Sequence, residues 1–373
     1  AEAVICDEGQ DFAHHKLFFV DNSLRFLQML ANYHRKKCQA TFIGITGSNG
    51  KTTTKELLRD VLSTTFKTQA TKGNFNNHIG VPLTLLEVKP ETEMAIIEMG
   101  ANHQKEIEAL CKIAEPDYGY ITNFGKAHLE GFGGIEGVIK GKSELYSYLE
   151  KNNRKALLNF DDPLQKKKAD ALDSHSFGFN EAADYIFENS TKECVQFSIN
   201  GIEINTHLIG SYNLTNVCSA VAFGLWFEAD IKAIKKACEA YIPNMNRSEL
   251  VSTENNQLIM DAYNANPTSM AMSINNFSSS NFGNKLMILG DMFELGKYSK
   301  AEHKAISELV KDTGIETLYV GEEFHNCKLY LRTKSFKSMQ ELLNHLAELN
   351  LTDRTVLLKG SRGIGLEKAK EYL

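Results

Sequence analysis

The segment ITGSNGKTTTKE, residues 45–56, decides how the rest of the chain is read. It has the form of a phosphate-gripping loop that opens a helix. The common pattern G-x-x-x-x-G-K-[ST] would place glycine at position 45, where this chain has Ile45; the nearest glycine is Gly47. The short loop still holds what an anion needs. Gly47 and Gly50 let backbone amides come closer than a Cβ would allow. The amides of Gly47, Ser48, Asn49 and Gly50, with the positive end of the following helix, point at a phosphate tail. Lys51 supplies charge for β- and γ-phosphates, and the Thr52 hydroxyl can ligate Mg²⁺. Thr53 and Thr54 fall in the first helical turn, where a hydroxyl reaches phosphate or caps the helix. A glycine–asparagine turn before an ordinary helix is the plainer alternative. The order strand, GK[ST], helix favours a nucleotide.

Working outward, ATFIGIT (40–46) reads as a buried strand and KTTTKELLRDVL (51–62) as the loop's helix. Two further apolar strands, EMAIIEMG and YGYITNFG, flank a helical stretch at 105–113. This alternation predicts an α/β fold with a doubly wound, mostly parallel sheet. From 155 to 209 the pattern changes. CVQFSI-NG-IEINTHL is a hairpin signal with Asn200-Gly201 as its two-residue turn, so an antiparallel subregion is expected there. Helices are expected at 214–227 and 231–241. Near 243–247 the chain starts again, with a hairpin in LVSTENNQLIMDAY and strands in KLMILGD, TLYVG and RTVLLKG between helices. This is a second, smaller Rossmann-like α/β unit. LRFLQMLANYHRK, before the first strand, reads as an amphipathic helix.

The bulk numbers limit the function classes. Net charge is −6, and the run Lys166-Lys167-Lys168 reads as a solvated surface, so nothing points to nucleic acid or an anionic membrane. Seven scattered cysteines without a C-x-x-C fit free thiols in a reducing compartment better than disulfides or zinc. No apolar run is long enough for a bilayer, and no signal peptide is visible in a chain beginning at Ala1. A cytoplasmic monomer is the expectation.

Ligands of doubly wound sheets gather at the carboxyl ends of strands. Glu98 ends EMAIIEMG and His128 follows YGYITNFG, so both can face the loop as metal ligands. Singly, Glu98 is as well explained by capping a helix and His128 as a loop histidine. Lys142 lies on a predicted helix at 135–149, where a solvated or salt-bridged lysine is the bland reading. Asn76 and Asn77 could bind a polar substrate or simply make a turn. Asn213 and Asn216, three apart on one helical face, could clamp a base edge or cap the helix.

Together, TGSNGKTTT, GNFNNHIGVPLTLL, EMGANH, NFGKAHLEGFG, KGKSEL, SYNLTN, NRSEL, DAYNANP, LGDMFELG and KGSRG resemble the Mur ligase family over nearly the whole chain. TGSNGKTT alone marks only the shared ATPase. EMGANH, DAYNANP and LGDMFELG point to its dipeptide-adding branch. The short G-x-x-G-K-T loop is this family's version.

The resemblance implies ATP-dependent joining of D-alanyl-D-alanine to UDP-N-acetylmuramoyl-tripeptide through an acyl phosphate, in peptidoglycan precursor synthesis. Lys51 and the loop would hold ATP. Thr52 and Glu98 would bind one Mg²⁺, and His128 with Lys142 would help bind a second, Lys142 carrying a CO₂-derived carbamate. Asn213 and Asn216 would contact adenine, and Arg247 and Asp261 the phosphate and ribose side. Lys359 and Arg362, like Asn76 and Asn77, would meet the substrates. A hinge near 243–247 would let the parts close. The resemblance divides the chain into 1–40, a remnant of the amino-terminal UDP-substrate domain (KLFFVDN and the linker helix); 41–243, the central ATP-binding domain; and 244–373, the carboxyl-terminal ligase domain. Two alternatives stand beside it: a folylpolyglutamate synthase-like ligase, disfavoured by EMGANH and DAYNANP, and a nucleotide-binding regulatory module that ligates nothing.

Overall fold

The computed structural model describes residues 2–9, 14–243 and 246–373. Part of the expected hinge, Asn244 and Met245, therefore lies outside the described residues, as do Ala1 and residues 10–13 of the expected remnant.

Among the described residues, seven strands form one sheet. Their order is Thr68–Ala70, Met94–Glu98, Thr41–Thr46, Tyr118–Ile121, Lys155–Asn159, Asp173–Gly178 and Tyr185–Ile186. Every pairing is parallel. The chain leaves Thr41–Thr46 toward one edge and later returns to pair Tyr118–Ile121 on its other side. That reversal puts a crevice at the carboxyl end of Thr41–Thr46, where the 47–50 loop begins. Glu98 and Thr122 then flank the loop from the two neighbouring strands.

The helix Lys51–Leu62 follows the loop directly. It buries Leu57, Leu58, Val61 and Leu62 in the same core as Val217, Val221 and Phe223 of the helix Tyr212–Trp226. Each such side chain contributes roughly 1.5–3 kcal/mol on burial. The floor of the crevice is thereby anchored by apolar packing.

A second sheet has the order Glu249–Ser252, Gln257–Asp261, Thr355–Lys359, Lys285–Gly290, Glu316–Val320 and Thr333–Phe336. Its first pairing is the expected antiparallel hairpin and the rest are parallel. Asp261 and Lys359 are register partners at the carboxyl ends of adjacent strands.

The antiparallel region is smaller than the sequence pattern suggests. Lys155–Asn159 and Asp173–Gly178 extend the large parallel sheet, and a separate three-stranded sheet holds only Glu188–Asn189, Cys194–Ile199 and Ile202–Ile209. Its hairpin turns at Asn200 (φ 52°) and Gly201 (φ 73°), the two left-handed residues of a tight type I′ turn. Val4–Asp7 and Leu17–Val20 pair in parallel ahead of the helix Ser23–Lys37, whose Asn22 cap accepts from the Arg25 amide at 2.7 Å. All seven cysteines are described and free. Among the described residues no helix is long and apolar enough to cross a membrane.

Candidate active site

The loop after Thr41–Thr46 is held in shape before any ligand arrives. Gly47 has φ 141°, and a Cβ there would lie 1.9 Å from Thr122 Oγ1. Gly50 has φ 78° and precedes the helix directly; a Cβ on it would meet Asn216 Oδ1 at 2.3 Å. Both positions therefore require glycine for conformation and for space. Asn123 grips Asn49 twice: its Oδ1 accepts from the Asn49 amide at 3.1 Å and its Nδ2 donates to the Asn49 carbonyl at 3.0 Å. Ser48 Oγ donates to the Gly125 carbonyl at 2.8 Å.

Lys51 folds over the loop and donates to the carbonyls of Gly47 (2.7 Å) and Ser48 (3.3 Å). Burial lowers its amine from the ordinary value, opposed by the Glu98 charge and reinforced by Arg247. Thr52 donates to Glu98 Oε1 at 3.3 Å, and Asn76 Nδ2 donates to the same oxygen at 2.8 Å. Glu98 is 1% exposed, and its Oε2 has no hydrogen-bond partner. A buried carboxylate oxygen left open beside a hydroxyl is a donor set that suits a hard cation such as Mg²⁺. Among the described residues no group of three or more His, Cys, Asp and Glu side chains is placed to hold a metal. A cation here would need oxygens from a nucleotide as well.

Lys142 is fully buried on the helix Ile135–Lys151. Its Nζ donates to the Ala101 carbonyl at 3.1 Å and lies 5.1 Å from the centre of the Phe132 ring. Burial, then the Lys51 charge, pushes its amine well below the ordinary lysine value, against the pull of Glu106 and Glu144. The bland reading of a solvated or salt-bridged helix lysine is thus wrong: the side chain is buried and meets a carbonyl and a ring rather than a carboxylate. His128 has φ 51°, and its Nδ1 lies 2.5 Å from Glu294 Oε2. The imidazole holds the Glu294 carboxyl below its ordinary range.

Asn213 Nδ2 donates to the Ile209 carbonyl at 2.8 Å, and Asn216 Nδ2 to Asn213 Oδ1 at 2.9 Å. Thr54 donates to Asn216 Oδ1 at 3.3 Å, so this threonine fixes the asparagine pair rather than facing the cleft. Asn77 Oδ1 accepts from the Ile79 and Gly80 amides, which starts the helix Gly80–Leu86. Arg247 stacks 3.6 Å over the Tyr263 ring with its buried Nε unpaired. Asp261 pairs with Lys359 Nζ at 2.9 Å and accepts from Ser273 at 2.7 Å. Arg362 is exposed, 5.5 Å from the Tyr263 ring centre.

One cleft of ≈ 960 Å³ brings the sequence candidates together. Ser48 to Thr53, Asn76, Asn77, Glu98, His128, Asn213, Asn216, Arg247, Asp261 and Lys359 all line it; Gly47, Lys142 and Arg362 do not. The two large sheets close on it through Lys126–Glu302 (2.6 Å), Asn266–Asn49 (2.6 Å) and the amide of Lys126 on Thr268 Oγ1 (2.9 Å). Three residues given no role from sequence matter here: Asn266 and Glu294 stand where the two units meet, and Lys55 lies beside Glu98. Asn266 and Glu294 lie inside the quoted motifs DAYNANP and LGDMFELG. Lys55 follows TTT on the loop helix, and only its spacing of four from Lys51 marks it.

Residues 45–224 match the Mur ligase middle domain and residues 246–362 the Mur ligase glutamate ligase domain. A relative from Bacillus subtilis, UDP-N-acetylmuramoyl-tripeptide–D-alanyl-D-alanine ligase, is 34% identical over 372 residues, spanning 95% of this chain and 80% of its own length. The chain belongs to the Mur ligase family. The Escherichia coli relative of the same name is 31% identical, spanning 100% of this chain and 85% of its own. Among solved structures, MurF from Acinetobacter baumannii matches with TM-score 0.89 at 31% identity, covering 98% of this chain and 83% of that one. The Thermotoga maritima MurF ligase, in complex with ADP, matches with TM-score 0.88 at 26% identity, covering 100% and 88%.

Proposed function

We propose that this Mur ligase is an ATP-dependent peptide ligase that joins D-alanyl-D-alanine to UDP-N-acetylmuramoyl-tripeptide in peptidoglycan precursor synthesis. The observation that carries the reading is one shared cleft. The phosphate loop, the open oxygen of Glu98, the asparagine loop and the Asp261–Lys359 pair all face it, in a chain whose relatives bear that activity as their name.

A carboxylate is a poor electrophile, so ligation needs activation. The tripeptide's terminal carboxylate attacks the γ-phosphorus, ADP leaves, and an acyl phosphate forms. The dipeptide amine then attacks the acyl carbon, loses a proton, and the tetrahedral intermediate expels phosphate as the amide forms. Lys51 and the loop amides hold the β- and γ-phosphates, trading the carbonyls of Gly47 and Ser48 for phosphate oxygens. Asn213 and Asn216 border the base, and Arg247 and Asp261 the phosphate and ribose side. Asn76, Asn77, Lys359 and Arg362 orient the acid and the dipeptide. Closure of the two sheets positions three reactants and excludes water.

Thr52 and Glu98 would hold one Mg²⁺ at the open Glu98 oxygen, and His128 with a carbamylated Lys142 would help hold a second. A metal held there would supply the positive charge that lets two anions meet. The neutral amine that burial favours at Lys142 is the form that captures CO₂, and the resulting carbamate is a carboxylate-like oxygen ligand. ATP as co-substrate fits a cytoplasmic site, and a cleft built within one chain fits a monomer. The division at 1–40, 41–243 and 244–373 follows the same reading.

The test is mass spectrometry of the product. With ATP, Mg²⁺, the UDP-linked tripeptide and D-alanyl-D-alanine, the pentapeptide product is expected. Glutamate as the amine donor should give none. Product with glutamate alone would move the chain to the folylpolyglutamate type.

A further inference from the structure

Lys55 is a fully buried ammonium on the loop helix, one turn beyond Lys51. Burying a charge is costly unless it is paired and hydrogen-bonded, so its partners report what the position is for. Lys55 Nζ donates to the Thr71 carbonyl at 2.6 Å and the Gly73 carbonyl at 3.1 Å. Glu56 Oε1 is 2.9 Å away, and the open Oε2 of Glu98 is 3.7 Å away. One ammonium therefore touches the helix that carries the phosphate loop, the start of the asparagine loop, and the carboxylate beside Thr52.

The other end of the asparagine loop returns to the same carboxylate. Asn76 Nδ2 donates to Glu98 Oε1, and the Asn76 carbonyl accepts from the Gly100 amide at 2.7 Å. Thr71 Oγ1 accepts from the Glu98 amide at 3.0 Å. The segment 71–76 is thus stapled at its start by Lys55 and at its end by Glu98.

We propose that Lys55 is a positioning residue for ligation: it holds Glu98 and the 71–77 loop in one arrangement, so the cation-binding carboxylate and the acid-substrate loop are set together. The ammonium offsets the Glu98 charge without occupying Oε2 by a hydrogen bond, which leaves that oxygen open. A neutral side chain at position 55 removes the ties to the Thr71 and Gly73 carbonyls, leaving the start of the loop only the Thr71 bonds to Ile96 and Glu98, and takes away one of the two lysine charges beside the buried carboxylate.

The inference deepens the ligase reading and rests on it, and the test separates the two. Lys55→Met and Lys55→Gln are compared with the wild-type chain. The expected result is hydrogen exchange at amides 71–77 faster by about tenfold or more, with exchange in helix 51–62 and ADP affinity without Mg²⁺ little changed. In turnover, half-saturation by the UDP-linked acid and by Mg²⁺ rises about tenfold or more, while saturated kcat falls less. Lys55→Gln, which keeps an uncharged N–H donor group, shows the same pattern more weakly, and it decides the matter if Lys55→Met does not fold. Wild-type exchange at 71–77 in the variants overturns the proposal. So does equal loss of helix protection and ADP affinity, the pattern of a merely structural lysine. If the wild type makes no amide product, the ligase reading fails, and the exchange comparison still decides the role of Lys55.

Discussion

Asn266 Nδ2 donates to Asn49 Oδ1 at 2.6 Å, so the six-stranded unit touches the phosphate loop itself. The same Asn266 caps the helix Pro267–Ser279, its Oδ1 accepting from the Ser269 amide at 3.0 Å. One side chain therefore starts a helix and bridges the two sheets. Asn266→Ser keeps a capping oxygen but is too short to reach Asn49. Its stability should change by only a few tenths of a kcal/mol, while turnover falls about tenfold. Asn266→Ala should lose about 1 kcal/mol as well. Denaturant unfolding beside steady-state kinetics separates the two effects; equal kinetics for Asn266→Ser and wild type would remove the bridge from the mechanism.

Gly47→Ala should be among the more damaging single-atom changes in the chain. The added Cβ meets Thr122 Oγ1, the hydroxyl that donates to the Asn49 carbonyl at 2.5 Å. The steric conflict and the φ of 141° together should cost about 1–3 kcal/mol. Calorimetric titration should show weaker ADP binding, and thermal unfolding a lower Tm.

Lys142→Ala should lower turnover roughly 100- to 1000-fold, the scale of removing one electrostatic contributor to phosphoryl transfer. Small carboxylates such as acetate should restore part of it by occupying the space of the proposed carbamate. Because burial lowers the amine, wild-type Lys142 is available to CO₂ nearer neutrality than an ordinary lysine. Wild-type enzyme prepared without CO₂ should be slow and recover with bicarbonate. Lys142→Ala should not respond to bicarbonate.

Burial also pushes the Cys238 thiol from 9.0 up to about 12, and raises Cys111 and Cys218. The folded state then keeps these protons at pH values where the unfolded chain has lost them. Native protein binds more protons than unfolded protein in that window, so stability falls as pH rises from about 9 toward 12. Alkylation of native protein at pH 8 should spare Cys111, Cys218 and Cys238, and denatured protein should label at all seven.

The sequence marks the strands and helices around the loop because their apolar runs are long and their turns carry glycine or asparagine. The helix at 51–62 and the hairpin at 194–209 are examples. It does not mark Thr68–Ala70 or Tyr185–Ile186, which are three and two residues long and are edge strands of the sheet. Nor does it mark Asp173–Gly178, whose polar DSHSFG becomes a strand through pairing rather than propensity. Within the site, Glu98 and Thr52 are legible because strand ends and the GK[ST] pattern fix where they point. Lys55 is not, since a lysine in a helix ordinarily reaches water and only tertiary partners show it buried. Glu294 meets His128 across the cleft, a pairing of two loops far apart in sequence that no local pattern encodes.

On the ligase reading, the cleft couples ATP cleavage to amide formation. Phosphate release from ATP, followed with the UDP-linked tripeptide and D-alanyl-D-alanine added separately and together, tests it most directly. Sustained release is expected only when both are present, one amide per phosphate. Release at the same rate with neither present would contradict it.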